Sequence, residues 1–207
     1  MCKRSLLLPC HLPETQDVVR KNMRIGIGIT GYLQATEEQR EWLPDGYTYV
    51  RELDQKYSQE HKIPESIKLT TVKPSGTLSL LGNCTSGIHP AYSQYYIRRV
   101  RQDNKDPLTQ FMKDKGIPSE SCAMKPETTT IFSFPMKAPK GGLTRNDKTA
   151  IEQLEHWLVY QKHWCEHKPS ITVYVREDEW LETGAWVYKN FDYMSGVSFL
   201  PFDNGSY

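Results

Sequence analysis

Apolar residues along this chain recur at two spacings, and the spacing changes at punctuating prolines and glycines. Met1 to Cys10 reads as part of a helix, with three leucines that end at Pro9, and residues 14–22 carry a second helical pattern. From Arg24 to Thr30, Ile25, Ile27 and Ile29 alternate with Gly26 and Gly28, the two-residue period of a strand. Thr36 to Leu43 reads as a helix that stops at the turn signal Pro44-Asp45-Gly46. Tyr47, Val50, Leu53 and Tyr57 then fall at helical spacing, with Glu52 and Lys56 as a supporting i,i+4 pair, until Pro64. Ile67 to Val72 reads as the next strand, followed by Lys73-Pro74-Ser75-Gly76-Thr77 and a helix start at Leu78-Ser79-Leu80-Leu81.

The second half repeats the alternation. Thr128 to Phe134 is strand-like, Lys137 to Gly142 is a loop, and Ile151, Leu154, Leu158 and Cys165 mark one helix face. Ser170 to Val175 reads as a strand, 178–190 as a helix, and Val197 to Leu200 as a last short strand. Helices alternating with strands predict an α/β fold. The first residues already sit inside a helical pattern, as they would in a piece of something longer.

Composition narrows the function classes. The 207 residues suffice for one large domain or a domain and a half. Lys and Arg number 26 against 25 Asp and Glu, so no global positive field draws the chain to nucleic acid. A mean hydropathy of −0.63, without a long apolar run, argues against a membrane span. The basic N-terminus is too short in apolar residues for a secretory signal. The five cysteines contain no Cys-x-x-Cys pair and imply no disulfide framework, which points to a reducing cytoplasm.

Four segments carry candidate chemistry. Gly26-Ile27-Gly28-Ile29-Thr30-Gly31 satisfies G-x-G-x-x-G, but a dinucleotide site needs the strand to precede the glycines. Here the alternation runs through them, so close backbone packing is the favoured reading. The strand–loop–helix around Pro74, Ser75, Gly76, Thr77 and Leu78 is more informative. A helix N-terminus suits phosphate, Gly76 admits an anion, and the Ser75 and Thr77 hydroxyls donate or cap. Tyr92, Tyr95 and Tyr96 before Arg98, Arg99 and Arg101 could stack on single-stranded nucleic acid, although an amphipathic element with snorkelling arginines is the plainer reading. His163 and His167 stand at a helical i,i+4 metal spacing, but no second ligand cluster accompanies them, and a solvated helix end is favoured.

The stretch Ser66-Ile67-Lys68-Leu69-Thr70-Thr71-Val72-Lys73-Pro74-Ser75-Gly76-Thr77-Leu78-Ser79-Leu80-Leu81 resembles adenosylcobalamin-dependent (class II) ribonucleotide reductase, in particular its monomeric ribonucleoside-triphosphate reductase branch. Three further stretches agree in order: Asn22 to Gly28, Gly87 to Pro90 with Tyr96 to Arg101, and Val197 to Pro201. The resemblance implies a ten-stranded α/β barrel of two five-stranded halves, with residues 1–207 supplying much of the second half as part of one catalytic domain. It implies that Pro74, Ser75, Gly76, Thr77 and Leu78 hold the phosphates of a ribonucleoside triphosphate. It also implies that the region from about Pro90 towards residue 150 helps form a face for adenosylcobalamin. Thioredoxin or another dithiol would reduce the enzyme.

The family's radical cysteine lies in Asn-Pro-Cys-x-Glu, which this sequence lacks. Cys84, in Asn83-Cys84-Thr85-Ser86, does not fill that role, so the chain alone is expected to be inactive. Two other readings stay open at this point. One is a nucleotide- or single-strand-binding module resting on the Tyr/Arg stripe, and the other is a nicotinamide-dependent oxidoreductase resting on Gly26 to Gly31.

Overall fold

The structure, a computed structural model, describes residues 2–73 and 75–203. Along the chain run α1 (Cys2–Ser5), α2 (Pro13–Asn22), β1 (Ile27–Gly28), α3 (Glu37–Glu41), α4 (Leu43–His61), β2 (Thr70–Thr71) and α5 (Leu78–Leu81). These are followed by β3 (Tyr95–Asp103), α6 (Pro107–Asp114), β4 (Ser119–Ser121), β5 (Thr129–Lys137), α7 (Ala150–His163), β6 (Thr172–Val175), α8 (Trp180–Lys189) and β7 (Ser198–Pro201). Two compact units result, one from the described parts of Met1–Ala91 and Pro139–Tyr207, the other from Tyr92–Ala138.

The larger unit is built on parallel strands. β1 pairs with β2, Ile27 opposite Thr70, and β6 pairs with β7, Thr172 opposite Ser198. The chain entering β6 lies along β2: His167 N–H donates to Thr70 O at 3.0 Å and Ser170 N–H to Val72 O at 2.9 Å. Residue numbers rise together on both sides, so all four strands point the same way and their carboxyl ends share one rim. Ligands of open α/β sheets bind at that end.

The core explains why the helices form where they do. α7 buries Leu154 and Leu158 of the expected face, and Trp157 and Tyr160 beside them, against Val173 and Val175 of β6, while Cys165, expected on that face, lies beyond the helix end at His163. Its start is fixed by a capping box in which Thr149 accepts from Glu152 N–H at 3.2 Å and Glu152 accepts from Thr149 N–H at 2.8 Å.

Three expectations are corrected. Pro44-Asp45-Gly46 does not end a helix; it forms the first turn of α4, where proline's missing N–H and fixed φ are assets. The strands expected over Arg24 to Thr30 and Ile67 to Val72 shrink to two-residue ladders. The flanking residues still bond in register, Ile25 N–H to Lys68 O at 3.0 Å among them. A Cβ at Gly26 would lie 3.1 Å from Thr71 Cγ2, so the glycine face is where β1 closes on β2. A 3-10 turn, Tyr32–Gln34, follows Gly31 in place of the long helix a dinucleotide fold needs.

The smaller unit is an antiparallel sheet in the order β3-β5-β4, with Val100 opposite Phe132 and Ser119 opposite Phe132. The Tyr/Arg stripe lies on β3, where residues alternate exposed and half-buried, the pattern of an amphipathic strand. α6 was not legible from apolar spacing; Asp106 caps it, accepting from Leu108 N–H at 2.9 Å.

Candidate functional site

At the shared carboxyl-end rim, the loop after β2 is held by side chains from the loop after β1. Thr30 Oγ1 donates to Thr85 O at 2.7 Å, accepts from Gly87 N–H at 3.1 Å, and lies 3.2 Å from Ser75 Oγ. Gln34 Oε1 accepts from Thr85 N–H at 2.6 Å, and main-chain bonds from Gly31 to Thr85 and from Tyr32 to Gly87 complete the seam. Gly87 has φ +55°, and a Cβ there would stand 3.0 Å from Val72 Cγ1, so this turn needs glycine.

The five expected phosphate-contacting positions divide. Pro74 lies outside the described residues. Ser75 is buried, while Thr77 and Leu78 are exposed and Gly76 is intermediate between them. Among the described residues, a Cβ built on Gly76 meets nothing nearer than Ser86 Oγ at 3.9 Å, so none of them crowds the space above it. Among the described residues, no acceptor meets the main-chain N–H groups of Gly76, Thr77 or Leu78. α5 itself is a single turn, and Thr77 makes no side-chain cap. The expected helix dipole is therefore small, and the useful feature is the run of N–H groups that no described residue accepts from.

His89 fixes the far end of the loop. Its Nε2 accepts from Thr172 N–H at 3.1 Å and its Nδ1 faces Ser86 O at 3.2 Å. A backbone N–H can only donate, so Nε2 carries no proton and the ring is the neutral Nδ1–H tautomer. Burial pulls its pKa below the ordinary histidine value, which agrees.

The root of β2 is anchored by a residue that sequence reasoning passed over. Glu166 Oε1 accepts from Tyr47 Oη and Arg51 Nε, each at 2.7 Å, and Oε2 accepts from Leu69 N–H at 2.5 Å. Burial works against this carboxylate, but those donors outweigh it and hold its pKa below the usual range. The neighbouring histidines do not share a helical face, because α7 ends at His163; His167 Nε2 bonds Ile25 O at 2.9 Å instead. Among the described residues no group of three or more His, Cys, Asp or Glu is placed to hold a metal ion.

All five cysteines are free thiols. Cys84 donates to Gly82 O at 3.1 Å and packs beside Gly31, within 3.4 Å of an ideal Cβ there. It is a loop-packing residue. No helix among the described residues is long and apolar enough to cross a membrane.

No family model matches the chain. Its sequence is 35% identical over 206 residues to the adenosylcobalamin-dependent ribonucleoside-triphosphate reductase of Euglena gracilis, covering 96% of this chain and 28% of that protein. It is 35% identical over 198 residues to a probable enzyme of the same name from Dictyostelium discoideum, covering 91% of this chain and 26% of the relative. The Lactobacillus leichmannii enzyme is 28% identical over 239 residues and matches 99% of this chain and 32% of its own length. A crystal structure of a B12-dependent (class II) ribonucleotide reductase superposes with TM-score 0.80 at 26% identity, over 99% of this chain and 33% of that one. The α/β fold is thus that of a portion of the reductase barrel. The chain spans about a third or less of each of these relatives.

Proposed function

We propose that this chain, which belongs by sequence and by fold to the adenosylcobalamin-dependent ribonucleotide reductases, carries the surface that holds the phosphates of a ribonucleoside triphosphate. The observation that carries this reading is the run of N–H groups at Gly76, Thr77 and Leu78 that meet no acceptor among the described residues. They stand beside space that none of those residues crowds, at the carboxyl-end rim of parallel strands. Successive main-chain N–H groups in a turn form a concavity suited to anions, and each charged hydrogen bond contributes about 1.5–3 kcal/mol.

The whole enzyme would reduce the ribonucleotide at its 2′ carbon, with thioredoxin or another dithiol supplying electrons in the cytoplasm. When bound, adenosylcobalamin supplies radical initiation. β3 presents Tyr95 at 66% and Ile97 at 60% exposure, with Lys137 Nζ over the Tyr95 ring, 5.7 Å from its centroid. Exposed apolar side chains with a cation beside them suit a macrocycle with an apolar face and a polar fringe. This chain's part is binding and orientation, since none of its cysteines lies in Asn-Pro-Cys-x-Glu.

The test is equilibrium binding of a ribonucleoside triphosphate to the chain and to Gly76→Val. The variant should lose affinity by about tenfold or more, because the branched side chain fills the anion's space. Equal affinity would remove the assignment.

A further inference from the structure

We propose that Thr30 is the positioning residue of the phosphate-holding loop, and that it dictates which groups of that loop can donate to an anion. A threonine hydroxyl has one proton and two lone pairs. Thr85 O can only accept, so at 2.7 Å it takes the Thr30 proton. Gly87 N–H can only donate, and at 3.1 Å it occupies one lone pair. Ser75 Oγ lies 3.2 Å away, and the one role left at that contact is for Ser75 to donate its proton to Thr30.

The consequence concerns Ser75. Its side chain is buried, its proton is committed to Thr30, and it offers a ligand only lone pairs. Lone pairs repel an ionised phosphate oxygen. The hydroxyl expected to be a phosphate donor is therefore structural, and the anion's donors are the N–H groups of Gly76, Thr77 and Leu78. Thr30 thus joins three segments, at Ser75, Thr85 and Gly87, and holds the loop in the shape that presents those groups. This rests on the reading of residues 75–78 as a phosphate-holding loop.

The experiment compares the 207-residue chain with Thr30→Val, Thr30→Ser and Ser75→Ala. It reads the amide exchange of Gly87 by NMR and the affinity for inorganic tripolyphosphate by calorimetry. Thr30→Val should speed Gly87 exchange and weaken tripolyphosphate about tenfold, and Thr30→Ser should restore both. Ser75→Ala should bind within about twofold of the parent, because the phosphate never used that proton. Ser75→Ala keeps the question open where Thr30→Val fails to fold, since both other Thr30 bonds remain. A tenfold loss in Ser75→Ala, or parental Gly87 exchange in folded Thr30→Val, overturns the proposal. Faster Gly87 exchange in Thr30→Val with no tripolyphosphate binding by the parent upholds the positioning role and removes the phosphate reading instead.

Discussion

Arg51 Nε donates to Glu166 Oε1 at 2.7 Å, closing a contact across 115 residues of sequence. The same guanidinium donates through Nη1 to Ser66 O at 2.7 Å, so one arginine of α4 holds both the approach to β2 and the turn after α7. Glu166→Ala would leave a largely buried guanidinium without its counter-charge and Leu69 N–H without its acceptor. The side chains are 25% and 16% exposed, which reduces the penalty below that of a fully buried pair. A loss of about 2–4 kcal/mol in urea unfolding is expected; a loss under about 1 kcal/mol would contradict the anchoring role.

Two glycines of the loop should respond differently to an added methyl. At Gly87 an alanine meets both a positive φ and a 3.0 Å contact with Val72, and stability should fall by about 1–3 kcal/mol. At Gly76 the nearest atom of the described residues to an added Cβ is 3.9 Å away, so Gly76→Ala should stay within about 0.5 kcal/mol of the parent. Thermal or urea unfolding of the pair decides it, and equal losses would misplace the loop.

Acid should destabilise the fold before its carboxylates titrate. Burial, then Lys148 and Arg40, lower the His156 pKa to about 4, and burial lowers His89 as well. The unfolded chain binds these protons near pH ~6.5, ahead of the folded one. The stability these groups confer is thus complete above about pH 6.5 and declines as pH falls towards about 4. Urea midpoints measured from pH 7.5 to 5 should fall, and His156→Phe, which keeps a ring against Tyr32, should flatten the slope. A slope unchanged by the variant would exclude His156 as its source.

The Tyr/Arg stripe should not behave as a nucleic-acid surface. Arg99 pairs with Glu120, and the strand's alternation is that of an amphipathic strand at one edge of the sheet. Fluorescence anisotropy with a single-stranded oligonucleotide should show weak binding at physiological salt. A micromolar complex that weakens steeply with salt would revive that reading.

Much of the scaffold was legible because its signals are local. The Leu154 and Leu158 spacing of α7 and the strand run of β6 are each set by residues a few positions apart. The loop at 74–78 stood out for the same reason. What escaped was non-local. Glu166 meets Tyr47, Arg51 and Leu69 from 97 to 119 residues away, and no sequence spacing announces such a carboxylate. Thr30 looked like the tail of a glycine motif, and its role appears only once Ser75, Thr85 and Gly87 are brought to it. Pro44 misled because proline opens helices as readily as it ends them.

The most direct measurement is an NMR titration of the isotope-labelled chain with a ribonucleoside triphosphate, following every backbone amide. The account predicts that Gly76, Thr77 and Leu78 shift first and furthest, while Gly26 to Gly28 and Tyr95 to Arg101 stay in place. Saturable shifts centred on either of those two stretches, with the 76–78 amides unmoved, would contradict it.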